Sequence, residues 1–142
     1  MNQQTSNSQL LFSIAKQNLG QLLSDGNANF GCAITVNNLA QKAWNCPIGG
    51  GASTNLMYQA LLDTKRFTPI LLANTLPGDI IIAPTGYAKD PSQHGHVGVI
   101  AQYGILSNLS EDGRLHEQWT IPAWVQYYHL NLGFPLCFFR AV

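Results

Sequence analysis

Pro77-Gly78-Asp79-Ile80-Ile81-Ile82-Ala83 divides the chain into two parts with different periodicity. Pro-Gly-Asp is turn chemistry, and the β-branched run after it suits a buried strand. Upstream, the apolar spacing is helical. Leu10, Leu11, Ile14, Leu19, Leu22 and Leu23 follow a Ser/Asn-rich opening, and Ser24-Asp25-Gly26 supplies a stop, so a first helix is expected over residues 7–23. A loop of turn formers over 27–31 leads to a second helix over 32–44, with Ala33, Val36, Leu39, Ala40 and Ala43 on one side. Cys46-Pro47-Ile48-Gly49-Gly50-Gly51 ends it, and Ser53 or Thr54 caps a short third helix through about Asp63.

Downstream, the pattern is that of short strands. Residues 96–103 and 105–109 form a hairpin about Gly104, Glu111-Asp112-Gly113 turns into a strand over 114–121, Pro122 opens a helix through about Leu130, and 136–141 closes as a strand. Helices followed by an antiparallel meander make the expected class α+β. At 142 residues, with neither an internal repeat nor a linker, one domain over 1–142 is expected, its first seven residues a flexible N-terminus.

Composition narrows the function. The chain holds 7 Lys plus Arg against 7 Asp plus Glu, with no run of like charge, so the electrostatic footprint of a nucleic-acid binder is missing. The apolar runs are too short to span a bilayer, and the opening residues lack the parts of a secretory signal. Three cysteines, Cys32, Cys46 and Cys137, show neither CxxC spacing nor an even count, which argues against a disulfide framework and a zinc knuckle. His94 and His96 alone do not complete a metal site, so neither metal nor cofactor is expected.

Cys32 stands at the predicted start of the second helix, where the helix dipole and backbone N–H groups lower a thiol's pKa and hold an oxyanion. His96 opens a strand in Gly95-His96-Val97-Gly98-Val99-Ile100, at a position that faces a cleft. Asn108 lies twelve residues on, and a register kept through the Gly104 turn puts both side chains on one sheet face, where a carboxamide orients the imidazole. Cys32, His96 and Asn108 are therefore the candidate catalytic residues. Trp119, Trp124, Tyr127 and Tyr128 are candidates to line a groove, with Trp119 and Trp124 read as packing residues; Cys46 and Cys137 read as structural thiols, His116 and His129 as surface positions without partners, and Gly49-Gly50-Gly51 as a flexible rim.

Cys32 opening a helix, Pro77-Gly78-Asp79-Ile80-Ile81, and Gly95-His96-Val97-Gly98-Val99-Ile100 together resemble the papain-like cell-wall hydrolases of the NlpC and CHAP groups. The element order resembles theirs from about residue 8 to 142, while residue-level likeness is confined to those three blocks. The resemblance implies N-terminal helices packed on a C-terminal antiparallel sheet in an open half-barrel, with Cys, His and a polar third residue in that order. The third position falls on Asn108, where many members carry His; Phe30-Gly31-Cys32-Ala33 also departs from their common Asp-Cys-Ser-Gly.

The implied activity is cleavage of an amide bond in peptidoglycan stem peptides through a thioester, as endopeptidase or amidase, by a phage lysin or a secreted antibacterial toxin. A toxin would carry an immunity protein as a further partner; neither nucleic acid nor membrane is an expected partner. Without a secretory signal, such a protein is made in the cytoplasm and reaches the wall by lysis or a non-Sec route. Thiol-dependent acyl transfer or protein deamidation on the same residues stays open, as does a non-catalytic binding domain.

Overall fold

A computed structural model describes residues 5–24 and 31–142. Helix α1 covers Asn7–Gln17, α2 Gly31–Trp44 and α3 Thr54–Leu61; strands are β1 Phe67–Ile70, β2 Ile80–Ala83, β3 His96–Ile100, β4 Ile105–Asn108, β5 Leu115–Trp119 and β6 Cys137–Ala141. The short α4, Ile121–Trp124, runs directly into a wider turn of i→i+5 helix, Val125–Asn131. The class is α+β. The strands form an open, antiparallel sheet in the order β1-β6-β2-β3-β4-β5.

The Ile80–Ala83 run is continuous because both sheet faces are covered. Ile80, Ile82, Val97, Val99 and Leu106 pack under the helices against Leu11, Val36, Leu39 and Met57. Ile81, Ala83, Ile100 and Ile105 pack on the opposite face against Trp124, Tyr128 and Phe134. Each isoleucine so buried contributes about 1.5–3 kcal/mol of transfer free energy.

Asp79 is fully buried, and its carboxylate accepts from Arg140 Nε and Nη2, both at 2.8 Å, and from the Leu76 N–H at 2.8 Å. This ties the start of β2 to the last strand. Gly78 has φ +96°, and a Cβ there would lie 2.1 Å from the Ser8 carbonyl oxygen, so only glycine lets the turn pack on α1.

Ser6 caps α1 through a capping box with Gln9, so the chain is tied down from residue 6, within the seven residues expected to be flexible; residues 1–4 lie outside those described. The first helix ends at Gln17 instead of continuing to 23. Beyond Gly20 the chain runs along the free edge of β5, exchanging Gly20 N–H to Leu115 O and Leu115 N–H to Gln21 O. Leu22 bridges Arg114, so these leucines serve the sheet edge and not a helix face. Residues 25–30 of the predicted stop and loop lie outside those described.

Two further differences have local causes. β1 was not anticipated because Pro69 interrupts a short strand, and an edge strand tolerates the missing N–H. The Gly49–Gly51 segment is pinned and not loose: Asn37 donates to the Gly49 and Gly51 carbonyls and accepts from Gly49 N–H.

Replacing Arg140 with Ala leaves the fully buried Asp79 carboxylate without its cation and is expected to cost about 3–5 kcal/mol, read as a lowered urea midpoint.

Candidate active site

Cys32 is the second residue of α2 as described and is 7% exposed. Backbone N–H groups of Val97, Ala33 and Cys32 lie near enough to its sulfur to favour the thiolate. Val97 is the second residue of β3, so the thiol stands near the start of that strand. The β3–β4 pairs are Val99–Leu106 and Ile100–Ile105.

His96 pairs with Ala83 at the end of β2. The preceding Gly95 donates its N–H to Thr85 Oγ1 at 2.9 Å, and a Cβ on Gly95 would collide with the Ala83 carbonyl at 1.8 Å. Thr85 in turn bonds Thr54 at the start of α3, so a chain of hydroxyls fixes the backbone on which the imidazole is mounted. The ring lies against Trp124 and Tyr128, with centroids at 5.4 and 6.0 Å and interplanar angles of 29° and 14°. Its Nε2 is buried and has no hydrogen-bond partner among the described residues.

Cys32, His96 and Asn108 all line one cavity of about 330 Å³ at the end of the sheet. A second cavity of about 370 Å³, walled by Gly50, Ala52, Ser53 and Thr54, meets the first at Cys32, His94 and Gly95. The thiol therefore sits where two depressions join.

Asn108 is placed differently from expectation. It follows Leu106 on the helix-facing side of β4, whereas His96 shares its side of β3 with Ile100 and faces the aromatic cluster. The same-face expectation thus fails on strand alternation. Asn108 is 4% exposed; its Oδ1 accepts from Thr35 Oγ1 of α2 at 3.3 Å, and its Nδ2 lies against Gly31. It fastens β4 to the first turns of α2, and no hydrogen bond to His96 is present among the described residues. Gln118 holds the same segment through Ser107 Oγ and the Asn108 carbonyl.

The electrostatics also differ from expectation. The three N–H groups draw the Cys32 pKa down, but burial is the larger influence and leaves it raised above the ordinary thiol value. Burial likewise lowers His96 from 6.5 to about 4. Thiol and imidazole are thus both neutral near pH 7, an arrangement suited to proton transfer during attack and not to a standing thiolate–imidazolium pair.

Trp124 is packing, as expected; Trp119, expected to pack, lines the cavity together with the groove candidate Tyr128. Tyr128 comes from the wide helical turn, a feature without a signature in apolar periodicity. Gln118 and Glu111 also border the cavity and were not anticipated. The expected partnerless histidines have partners: His116 Nε2 meets Asp112 at 2.8 Å, and His129 Nδ1 meets the Phe134 carbonyl at 2.7 Å. Cys137 is half-buried on β6, while Cys46 is exposed beside Arg66, at 3.7 Å, and is not a core thiol. No family model, curated protein or solved structure matches this chain.

Asn108→Ala leaves the Thr35 hydroxyl without its acceptor and is expected to destabilise the protein by about 1–3 kcal/mol in denaturant melts, while leaving the His96 NMR titration in place. His96 is neutral when folded and binds a proton near pH 6.5 when unfolded, so it favours folding above that pH. This contribution is lost as pH falls from 6.5 toward about 4. Over that window, the urea midpoint is expected to fall more steeply in the unaltered protein than in His96→Gln.

Proposed function

We propose that this chain is a cysteine hydrolase of papain-like NlpC or CHAP type, which cleaves an amide bond of peptidoglycan stem peptides. The observation that carries the reading is that the Cys32 thiol and a half-buried His96 imidazole with an unpartnered Nε2 line one cavity at the start of α2 and β3.

The neutral His96 takes the Cys32 proton as sulfur attacks the amide carbonyl. Negative charge grows on the carbonyl oxygen at the start of α2, where backbone N–H groups are the available donors. His96, now charged, protonates the leaving amine. It then activates water to hydrolyse the thioester, returning both groups to neutrality. Asn108 serves this scheme by fixing α2 and hence the nucleophile, in place of orienting the imidazole.

Peptidoglycan as substrate is supported by the likeness of the Cys32, Pro77-Gly78-Asp79 and His96 blocks to the wall hydrolases.

Cys32→Ala and His96→Ala are each expected to lower turnover of purified wall fragments by at least about a thousandfold with the thermal midpoint retained, scored by mass spectrometry of released peptides. Full turnover in Cys32→Ala overturns the proposal. Release of ammonia, or transfer of the acyl group to an amine without hydrolysis, assigns the same residues to deamidation or acyl transfer.

A further inference from the structure

The sequence holds seven lysine and arginine side chains. Arg140 is held by Asp79, Arg114 donates to the Gly20 carbonyl, and Arg66 to the Ile48 and Pro47 carbonyls. Lys16 lies over Phe12 on α1, Lys42 is in the last turn of α2, Lys65 precedes β1, and Lys89 packs on Gly133. None of them lines either cavity at Cys32. Residues 1–4 and 25–30 contain neither Lys nor Arg. The carboxylate bordering the first cavity among the described residues is Glu111.

A carboxylate brought into such a cleft loses water and gains no lysine or arginine in exchange, and it approaches a like charge at Glu111. The neutral His96 imidazole adds no compensation; the other imidazole at the cleft is that of His94, which borders both cavities. Carboxamides, hydroxyls and amines meet the opposite situation: the Gln118 and Ser110 groups around the first cavity offer hydrogen bonds, and Glu111 attracts a cation. The small wall at Gly50, Ala52 and Ser53 lets a short residue lie in the second cavity.

We infer that the cleft selects against acidic groups beside the bond it cuts: the substrate segment spanning Cys32 is neutral or amine-bearing, with amidated or cross-linked carboxyls in place of free ones. The inference rests on the hydrolase reading for the word substrate, but the charge selection belongs to the cleft itself.

Two alkylating reagents of nearly equal size separate the two claims. In each, the thiolate displaces iodide as the S–C bond forms; iodoacetamide is neutral and iodoacetate carries a carboxylate. Rates at each cysteine of the full chain are read by mass spectrometry at pH 9, alongside a small neutral thiol. The ratio of the two rates at one thiol cancels its thiolate fraction.

The iodoacetamide preference at Cys32 is expected to exceed that of the neutral thiol by about tenfold, whereas Cys46, beside Arg66, shifts toward iodoacetate. Glu111→Lys is expected to reduce the Cys32 preference severalfold. A Cys32 ratio equal to that of the neutral thiol overturns the inference, as does a ratio indifferent to Glu111→Lys.

A matched pair of wall peptides, differing only by carboxylate or carboxamide beside the scissile amide, then reads kcat/KM, with the carboxamide expected to be better by about tenfold. If neither peptide is cut while the alkylation ratios behave as expected, the hydrolase reading fails and the charge selection stands. If the carboxylate peptide is cut as well as its partner, the selection fails and the hydrolase reading stands.

Discussion

A carboxylate with no exposed surface, Asp79, sets the register on which the rest of the sheet is laid. Its partner, Arg140, belongs to the last strand, yet that strand lies between β1 and β2, so the pair joins the end of the chain to its middle. A one-residue slip of β6 would exchange the faces of Phe138 and Phe139 and withdraw the guanidinium from a charge that water cannot reach. From the same turn, Gly78 N–H and the Asp79 carbonyl bracket Ile100, with bonds of 2.8 and 2.7 Å. That bracket fixes β3, and β3 begins with His96. A buried ion pair far from the cleft thereby determines where the imidazole stands.

The cleft itself is governed by strand alternation at its smallest scale. His96 points its ring to the aromatic side of the sheet, while Cys32 arrives from α2 on the helix side. Both border one cavity because it opens at the end of the sheet, where β3 starts. Asn108, the last residue of β4, borders the same cavity, but its side chain stays on the helix side and is bonded to Thr35. A third residue counted by spacing alone therefore ended as a brace for α2.

Legibility in the sequence followed the physical origin of each feature. Ile80–Ala83, the Gly104 hairpin and the Ser53-capped helix were readable because local propensity and tertiary burial agree there. The α1 terminus was not, since residues 20–22 leave a permitted helical pattern for hydrogen bonds supplied by β5, nearly a hundred positions away. Cys32 and His96 were visible as residue types at element starts, but their ionisation was not. Helix-start chemistry argues for an acidic thiol, and the opposing influence, burial, exists only once the helices cover the sheet. Glu111 reaches the cavity from the β4–β5 connection and Gln118 from β5, through a turn geometry that no periodicity encodes, while Tyr128, a groove candidate by residue type, is brought there by the wide helical turn.

The neutrality of the pair shapes what kind of catalyst the proposed hydrolase is. Raising the thiol and lowering the imidazole both disfavour a resting ion pair, so moving the proton before attack costs free energy. The cost is recovered only when the sulfur's charge passes to a carbonyl oxygen and finds backbone donors, because stabilisation confined to the transition state accelerates the chemistry. An idle thiolate reacts with any electrophile that finds it, whereas a buried thiol paired with a neutral base waits for a substrate that fits. The burial that withholds charge from the sulfur acts beside a cleft without lysine or arginine and with Glu111 at its border, and the two together set the site against a negative charge on the thiol and on its partner alike.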